Sequence, residues 1–83
     1  MAVKYVKENI AVIASFDVDG VIHPHRFKME DGTVVKIDKV LKVCRAASTK
    51  AGGTGIRYTC SIQNKISNLF LEETTWWIER EVI

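Results

Sequence analysis

The sequence predicts an all-β fold, in which six antiparallel strands form two three-stranded meanders that close into a small barrel, roll or sandwich. The first observation is a hydrophobic period of two, clearest over residues 56–63, where apolar and polar side chains alternate. The second is turn chemistry, because Asp-Gly pairs stand at residues 19–20 and 31–32. The third is that no stretch joins a helix cap to a sustained amphipathic pattern. At 83 residues the chain is expected to fold as one domain, residues 1–83.

Six segments rich in β-branched, aromatic or alternating apolar residues are the predicted strands. They are residues 9–18, 21–29, 33–44, 56–63, 66–72 and 75–80. Lys39 interrupts the apolar side of the third segment. The stretch Arg45–Gly55 is rich in glycine, serine and threonine, and we expect it to be a flexible connection between the two meanders.

Turn types set the register of the first meander. A two-residue type I′ turn at Asp19-Gly20 would place Val12 opposite Phe27 and Phe16 opposite His23. A three-residue loop, Glu30-Asp31-Gly32, would place Phe27 opposite Val35 and Val21 opposite Leu41.

The same reasoning sets the register of the second meander. A turn at Asn64-Lys65 would place Cys60 opposite Leu69 and Tyr58 opposite Leu71, and a turn at Glu73-Thr74 would place Leu71 opposite Trp76 and Leu69 opposite Ile78. Together these registers predict a core, whose members are Val12, Phe27, Val35, Ile37, Leu41, Ile56, Tyr58, Ile62, Leu69, Leu71, Trp76 and Ile78.

The charge distribution, the cysteine count and the length of the apolar runs indicate which compartment and which partners to expect for this protein. The formal net charge is +2, yet residues 26–57 hold eight bases and three acids, whereas residues 66–83 hold one base and four acids. Two cysteines, Cys44 and Cys60, do not make a secreted disulfide framework, so we expect a reduced, cytoplasmic protein. The longest apolar run, Ile10–Phe16, is too short to span a bilayer, and no membrane partner is expected.

The run Phe16-Asp17-Val18-Asp19-Gly20 resembles the first motif of the haloacid-dehalogenase-like phosphatases. That resemblance implies a nucleophile at Asp17 and an acid/base at Asp19, at the end of a parallel strand. Such an enzyme needs a doubly wound sheet, and this sequence has no helical segments to build one. An Asp-Gly hairpin turn accounts for the same residues, so a phosphatase is the least favoured function and no enzyme is predicted.

The sequence contains no recognisable cofactor or metal site. The glycines of Lys50–Gly55 follow their lysine, which is the reverse of a phosphate-binding loop. Four zinc ligands are available by count, namely Cys44, Cys60, His23 and His25. Their spacing is wrong for a structural zinc site. In the predicted register the histidines also point to the side of Val35, and Cys44 points to the opposite face.

Two surface features are candidate binding sites. The first is an anion-binding stripe made by Arg26, Lys28, Lys36 and Arg57, in which Arg26 and Lys36 stand directly opposite each other. The second is a partner face that contains Phe70 and Trp77, cross-strand partners opposite the core, together with Thr59. The alternative for this second face is that the N-terminal segment, residues 1–8, covers the two aromatic rings.

Four stretches are similar to a group of short bacterial proteins of unknown function. They are Ile13–Phe16, Pro24–Phe27, Val35–Val40 and Leu69–Ile78. The resemblance implies a compact, stand-alone cytosolic domain and no activity. The leading hypothesis is therefore a non-enzymatic protein-interaction module, which could be a homodimer, acting through Phe70 and Trp77. The alternative is a small barrel that binds nucleic acid through the basic stripe.

Overall fold

The computed structural model describes residues 4–47 and 54–82, and it confirms an all-β, antiparallel fold. Over these residues the strands are β1 (Lys4–Phe16), β2 (Ile22–Lys28), β3 (Val34–Lys36), β4 (Lys39–Ala47), β5 (Thr54–Ile62), β6 (Lys65–Glu72) and β7 (Thr75–Val82). They lie in one seven-stranded sheet in the order β3-β2-β1-β7-β6-β5-β4.

The predicted number of strands, six, is wrong because the segment 33–44 is two strands. The chain changes its pairing partner at Ile37 and Asp38. The amide of Ile37 donates to the carbonyl of His25 on β2 (2.9 Å), and the next amide, that of Asp38, donates to Ser61 on β5 (3.0 Å). The apolar alternation shifts here from Val35 and Ile37 to Val40, so the polar Lys39 was the sequence signal of the break.

This break also explains why the sheet curls. β3 and β4 stand at opposite edges of the sheet, yet only two residues separate them. Seven flat strands would hold their edges about 29 Å apart, whereas three peptide units reach only about 11 Å. The sheet therefore bends into a half-barrel. The thirteen-residue β1 follows the bend, pairing with β7 over its first half and with β2 over its second.

The first hairpin is closed by a three-residue loop and not by the predicted two-residue turn. The amide of Asp17 donates to the carbonyl of Val21 (3.1 Å), and Gly20, at φ +81°, is the left-handed residue of the loop. A type I′ turn would also need positive φ at Asp19, which the structure does not have. The loop places Phe16 opposite Ile22 instead of His23. A bulge at His25 then restores the predicted pairing of Val12 with Phe27.

The second hairpin forms as predicted. The amide of Met29 donates to the carbonyl of Thr33 (2.8 Å), Gly32 has φ +94°, and Phe27 lies opposite Val35. The predicted pairing of Val21 with Leu41 is wrong, because the chain has left β2 before it reaches Leu41.

One hairpin of the second meander has a different register from the prediction. The turn between β5 and β6 is Gln63-Asn64, and both residues have positive φ, at 51° and 65°. Tyr58 therefore lies opposite Leu69 and Cys60 opposite Ser67, a shift of two residues that leaves every side chain on its predicted face. The last hairpin is confirmed, with Leu71 opposite Trp76 and Leu69 opposite Ile78.

The core lies inside the curl, and eleven of the twelve predicted core residues are buried there or pack against it. The exception is Leu41, which is 49% exposed because it is the extra residue of a bulge between Val40 and Lys42. Val40 packs against the core instead, and Ile10 and Cys60 are further buried members.

The strands extend into both ends of the predicted connection. Arg45–Ala47 belong to β4, and Thr54 and Gly55 belong to β5. The centre of the connection, 48–53, lies outside the described residues.

Candidate nucleic-acid interface

The outward side of β1, β2 and β3 carries an exposed basic surface. Phe27 and Val35 point into the core, so their neighbours along each strand point outward. Across the strands, Ile13 lies opposite Arg26, which lies opposite Lys36, and in the next row Ala11 lies opposite Lys28, which lies opposite Val34. We call the surface formed by these residues the basic face. It comprises Ala11, Ile13, Arg26, Lys28, Val34 and Lys36.

The charges of the basic face are not neutralised within the described part of the chain. The face holds three cations and no acid, and the side chains of Arg26, Lys28 and Lys36 make no hydrogen bond or ion pair with any described residue. The ion pairs of other cations lie elsewhere, such as Lys7 with Glu72 at 3.0 Å and Arg80 with Glu8 at 2.6 Å. Like charges directly opposite each other on a sheet destabilise it slightly, and a bound anion would relieve that repulsion.

Arg57 does not belong to this surface, contrary to the prediction. It lies on β5 between Cys44 and Phe70, and β5 is not a neighbour of β2 or β3 in the sheet. Its Nη2 donates to the sulfur of Cys44 (3.5 Å), and its Nε is buried without a partner. This half-buried guanidinium therefore lies and makes its contact near the other edge of the sheet, away from β2 and β3.

Phe70 and Trp77 are cross-strand partners, as predicted, but they are buried. Their exposed fractions are 1% and 0%, and their rings stack 4.2 Å apart with an angle of 5°. From the N-terminal segment, the ammonium of Lys7 lies 5.0 Å above the Trp77 ring. Thr59 donates to Asn68 (3.0 Å) on the same side of the sheet. The aromatic pair is therefore buried and is not the exposed partner face that was predicted. Of the N-terminal segment, residue Lys7 lies over the Trp77 ring, and residues 1–3 lie outside the described residues.

The phosphatase-like motif is the end of the first hairpin. Asp17 Oδ1 accepts hydrogen bonds from the amides of Asp19 (2.9 Å) and Val21 (3.0 Å), and Oδ2 is bonded to His23 Nε2 (3.2 Å). The bond to His23, followed by the backbone amides, lowers the pKa of the Asp17 carboxyl below its usual range. The carboxylate thus caps a turn between antiparallel strands, which gives it a structural role.

The bulge in β2 moves both histidines to the outward side. His23 and His25 are exposed, and Pro24 between them is buried, so their predicted position on the side of Val35 is wrong. Ser15 Oγ and His25 Nε2 are hydrogen-bonded at 2.8 Å, a pair that sequence reasoning missed because only the bulge creates it. No carboxylate completes a catalytic triad with them among the described residues.

The two cysteines face different environments. Cys44 is half-buried on the outward side, and Cys60 is fully buried in the core, where desolvation raises its pKa to about 11. Among the residues of 4–47 and 54–82, no three His, Cys, Asp or Glu side chains are grouped closely enough to hold a metal ion. The same residues include no helix of the length and apolarity needed to cross a bilayer.

Comparison with known proteins finds similarity to a ribosomal protein. The chain is 31% identical over 78 residues to the small ribosomal subunit protein uS3 of Rickettsia massiliae (strain Mtu5), covering 94% of this chain and 35% of that protein. It is 32% identical over 76 residues to uS3 of Rickettsia akari (strain Hartford), covering 92% and 34% respectively. The chain thus spans about a third of the length of the curated relatives it matches. No family model matches the chain, and no solved structure matches it significantly.

Proposed function

We propose that this protein binds RNA through the basic face. The observation that carries the proposal is an exposed sheet surface with three cations, no acid and no ion pair to another described residue. The similarity to a ribosomal subunit protein supports RNA as the polyanion, since a ribosomal subunit is a particle of RNA and protein. The cytoplasmic location expected from the sequence is consistent with this partner.

The strength of such binding depends on salt. Each cation that neutralises a phosphate releases counterions, so the logarithm of the affinity falls with the logarithm of the salt concentration. Three contacts give a slope of about −2 on a single strand and nearly −3 on a duplex. With a formal net charge of only +2, the remainder of the molecule adds little attraction of its own.

A triple variant tests the proposal. Arg26→Ala/Lys28→Ala/Lys36→Ala should weaken binding to a labelled RNA in fluorescence anisotropy and flatten the salt slope toward zero. The matched control is Lys4→Ala/Arg45→Ala/Lys65→Ala, which removes three exposed cations from β1, β4 and β6. The control should keep most of the slope. Equal losses in the two variants would show that binding follows net charge and would refute a localised site.

A protein contact is the second candidate, now at a different place from Phe70 and Trp77. At the end of the first hairpin, Phe16 is 70% exposed, and Val18 and Val21 beside it are also exposed. Exposed apolar side chains that lie together favour a partner surface, here a second copy of the chain. Phe16→Ser/Val18→Ser should then lower the mass measured by light scattering. An unchanged monomeric mass before and after substitution would exclude this contact.

A further inference from the structure

We propose that the RNA recognised by the basic face is double-stranded and is bound through its phosphate backbone without selection of base sequence. This inference rests on the proposed function and specifies its substrate. It depends on which side chains the basic face has and which it lacks.

The six residues of the basic face include no aromatic ring on which a base could stack. The nearest ring is that of His25, beside Arg26, and its Nε2 is hydrogen-bonded to Ser15 Oγ at 2.8 Å. The chain contains two tryptophans, two tyrosines and three phenylalanines. Phe27, Tyr58, Phe70 and Trp77 are buried, and Trp76 packs against the core. Tyr5 lies on the part of β1 that pairs with β7, and Phe16 lies opposite the core-facing Ile22. Proteins that bind single strands combine cations with exposed aromatic platforms. The basic face has the cations but no phenylalanine, tyrosine or tryptophan platform.

The basic face also lacks the amide side chains that read base edges. None of the six residues of the basic face is an asparagine or glutamine. Gln63, Asn64 and Asn68 lie in the turn after β5 and on β6, and Asn9 lies on β1 beyond Ala11, opposite Trp77. Asn68 is already engaged by Thr59 and Glu79. What the face offers is three cations beside exposed apolar side chains, with Ile13 62% and Val34 58% exposed.

This composition suits an A-form duplex. In such a duplex the bases are stacked inside, while phosphates and sugars are displayed on the outside, so recognition depends on shape and charge. On a sheet, the Cα atoms of Arg26 and Lys28 are about 6.5–7 Å apart along β2. The Cα atoms of Arg26 and Lys36 are about 5 Å apart across the strands. These Cα spacings allow the long side chains of the three cations to reach neighbouring phosphates of one backbone. The apolar side chains of Ile13 and Val34 then lie beside the phosphates, where sugar rings can cover them.

Competition between forms of one RNA tests the inference. The probes are a blunt RNA duplex of about two helical turns, each of its unstructured strands alone, and a second duplex of permuted sequence. We expect the first duplex to bind at least about tenfold tighter than either strand, and the two duplexes to bind within about twofold of each other. The control triple variant Lys4→Ala/Arg45→Ala/Lys65→Ala should keep this order.

An aromatic insertion makes the test sharper. Ile13→Trp places a ring on the exposed basic face and should raise the affinity for the single strand by about tenfold, while leaving duplex affinity nearly unchanged. Circular dichroism and thermal unfolding confirm that the variant is folded. If the unsubstituted protein binds the single strand as tightly as the duplex, and the basic-face triple variant abolishes that binding, the duplex inference fails and the RNA-binding function stands. If no RNA binds in a salt-dependent manner, both fail.

Discussion

Trp77 and Phe70 form an apolar pair that is separate from the core, on the other side of the sheet. Because both are buried, removing the indole should affect folding. Trp77→Ala is expected to lower the free energy of unfolding by about 3–5 kcal/mol, measured by urea denaturation. Phe16→Ala is the control, since Phe16 is exposed and its truncation should change stability by less than about 0.5 kcal/mol. A stable Trp77→Ala variant that merely loses an oligomeric partner would restore the predicted partner face.

The two cysteines should differ in reactivity. A thiol reacts as its thiolate, and the pKa of Cys60, raised to about 11 by burial, keeps that thiol protonated across the neutral range. Iodoacetamide at pH 8 should therefore label Cys44 in the native protein and Cys60 only after unfolding, as read by mass spectrometry. As the pH rises above the ordinary thiol range, Cys60 ionises more readily in the unfolded chain, so native stability should fall. Rapid native labelling of Cys60 would contradict its buried position.

At the scale of the strands, the sequence predicted facing better than pairing. The period of two identified which side chains of β5, β6 and β7 point inward, and the registers at Glu30-Asp31-Gly32 and Glu73-Thr74 were right. The turn was predicted one residue late, at Asn64-Lys65 instead of Gln63-Asn64, because neither pair contains a glycine to mark the positions of positive φ. The bulges at His25 and Leu41 were also missed, although an extra residue shifts the alternation: at the first bulge, two exposed residues, His25 and Arg26, stand between the buried Pro24 and Phe27.

One glycine of the predicted connection has a packing role that composition could not reveal. Gly55 has φ +152°, and a Cβ there would lie 2.6 Å from the carbonyl oxygen of Leu71 on β6. Gly55→Ala should destabilise the protein by about 1–3 kcal/mol, since a backbone atom must move. Gly32→Ala shares the positive φ but meets no atom within 4 Å, so it should cost less in the same thermal-unfolding experiment. If the two variants lose the same stability, the positive φ alone accounts for both losses and the close approach to Leu71 has no effect.

The part of the site that depends on local contacts could be predicted from the sequence. One short hairpin brings Arg26, Lys28 and Lys36 onto the same face, and the turn of that hairpin could be predicted from the sequence. Arg57 was assigned wrongly because its neighbours depend on how the sheet curls and on the order of distant strands. The pattern likewise showed that Phe70 and Trp77 share a face, but it could not show that this face is covered.

The basic face and the acidic residues near the C-terminus lie on opposite sides of β1 in the sheet order, although β4, β5 and β6 carry further cations. The basic residues of β2 and β3 lie on one side of β1 in the sheet order, and the acidic C-terminal third, which includes Glu72, Glu73 and Glu79, lies on the other. Such an asymmetric charge distribution orients a molecule as it approaches a polyanion. The basic face would then meet an RNA first, and the acidic strands would point away from it.

The most direct test of this account is to map the contact surface by NMR. Amide shifts of the nitrogen-15-labelled protein would be followed as an RNA duplex is added at low salt and again at high salt. We expect the shifts to revert as salt is raised and the perturbed amides to centre on the basic face, namely Ala11, Ile13, Arg26, Lys28, Val34 and Lys36. Perturbations centred on Arg57, Phe70 and Trp77, or shifts that persist at high salt, would contradict it.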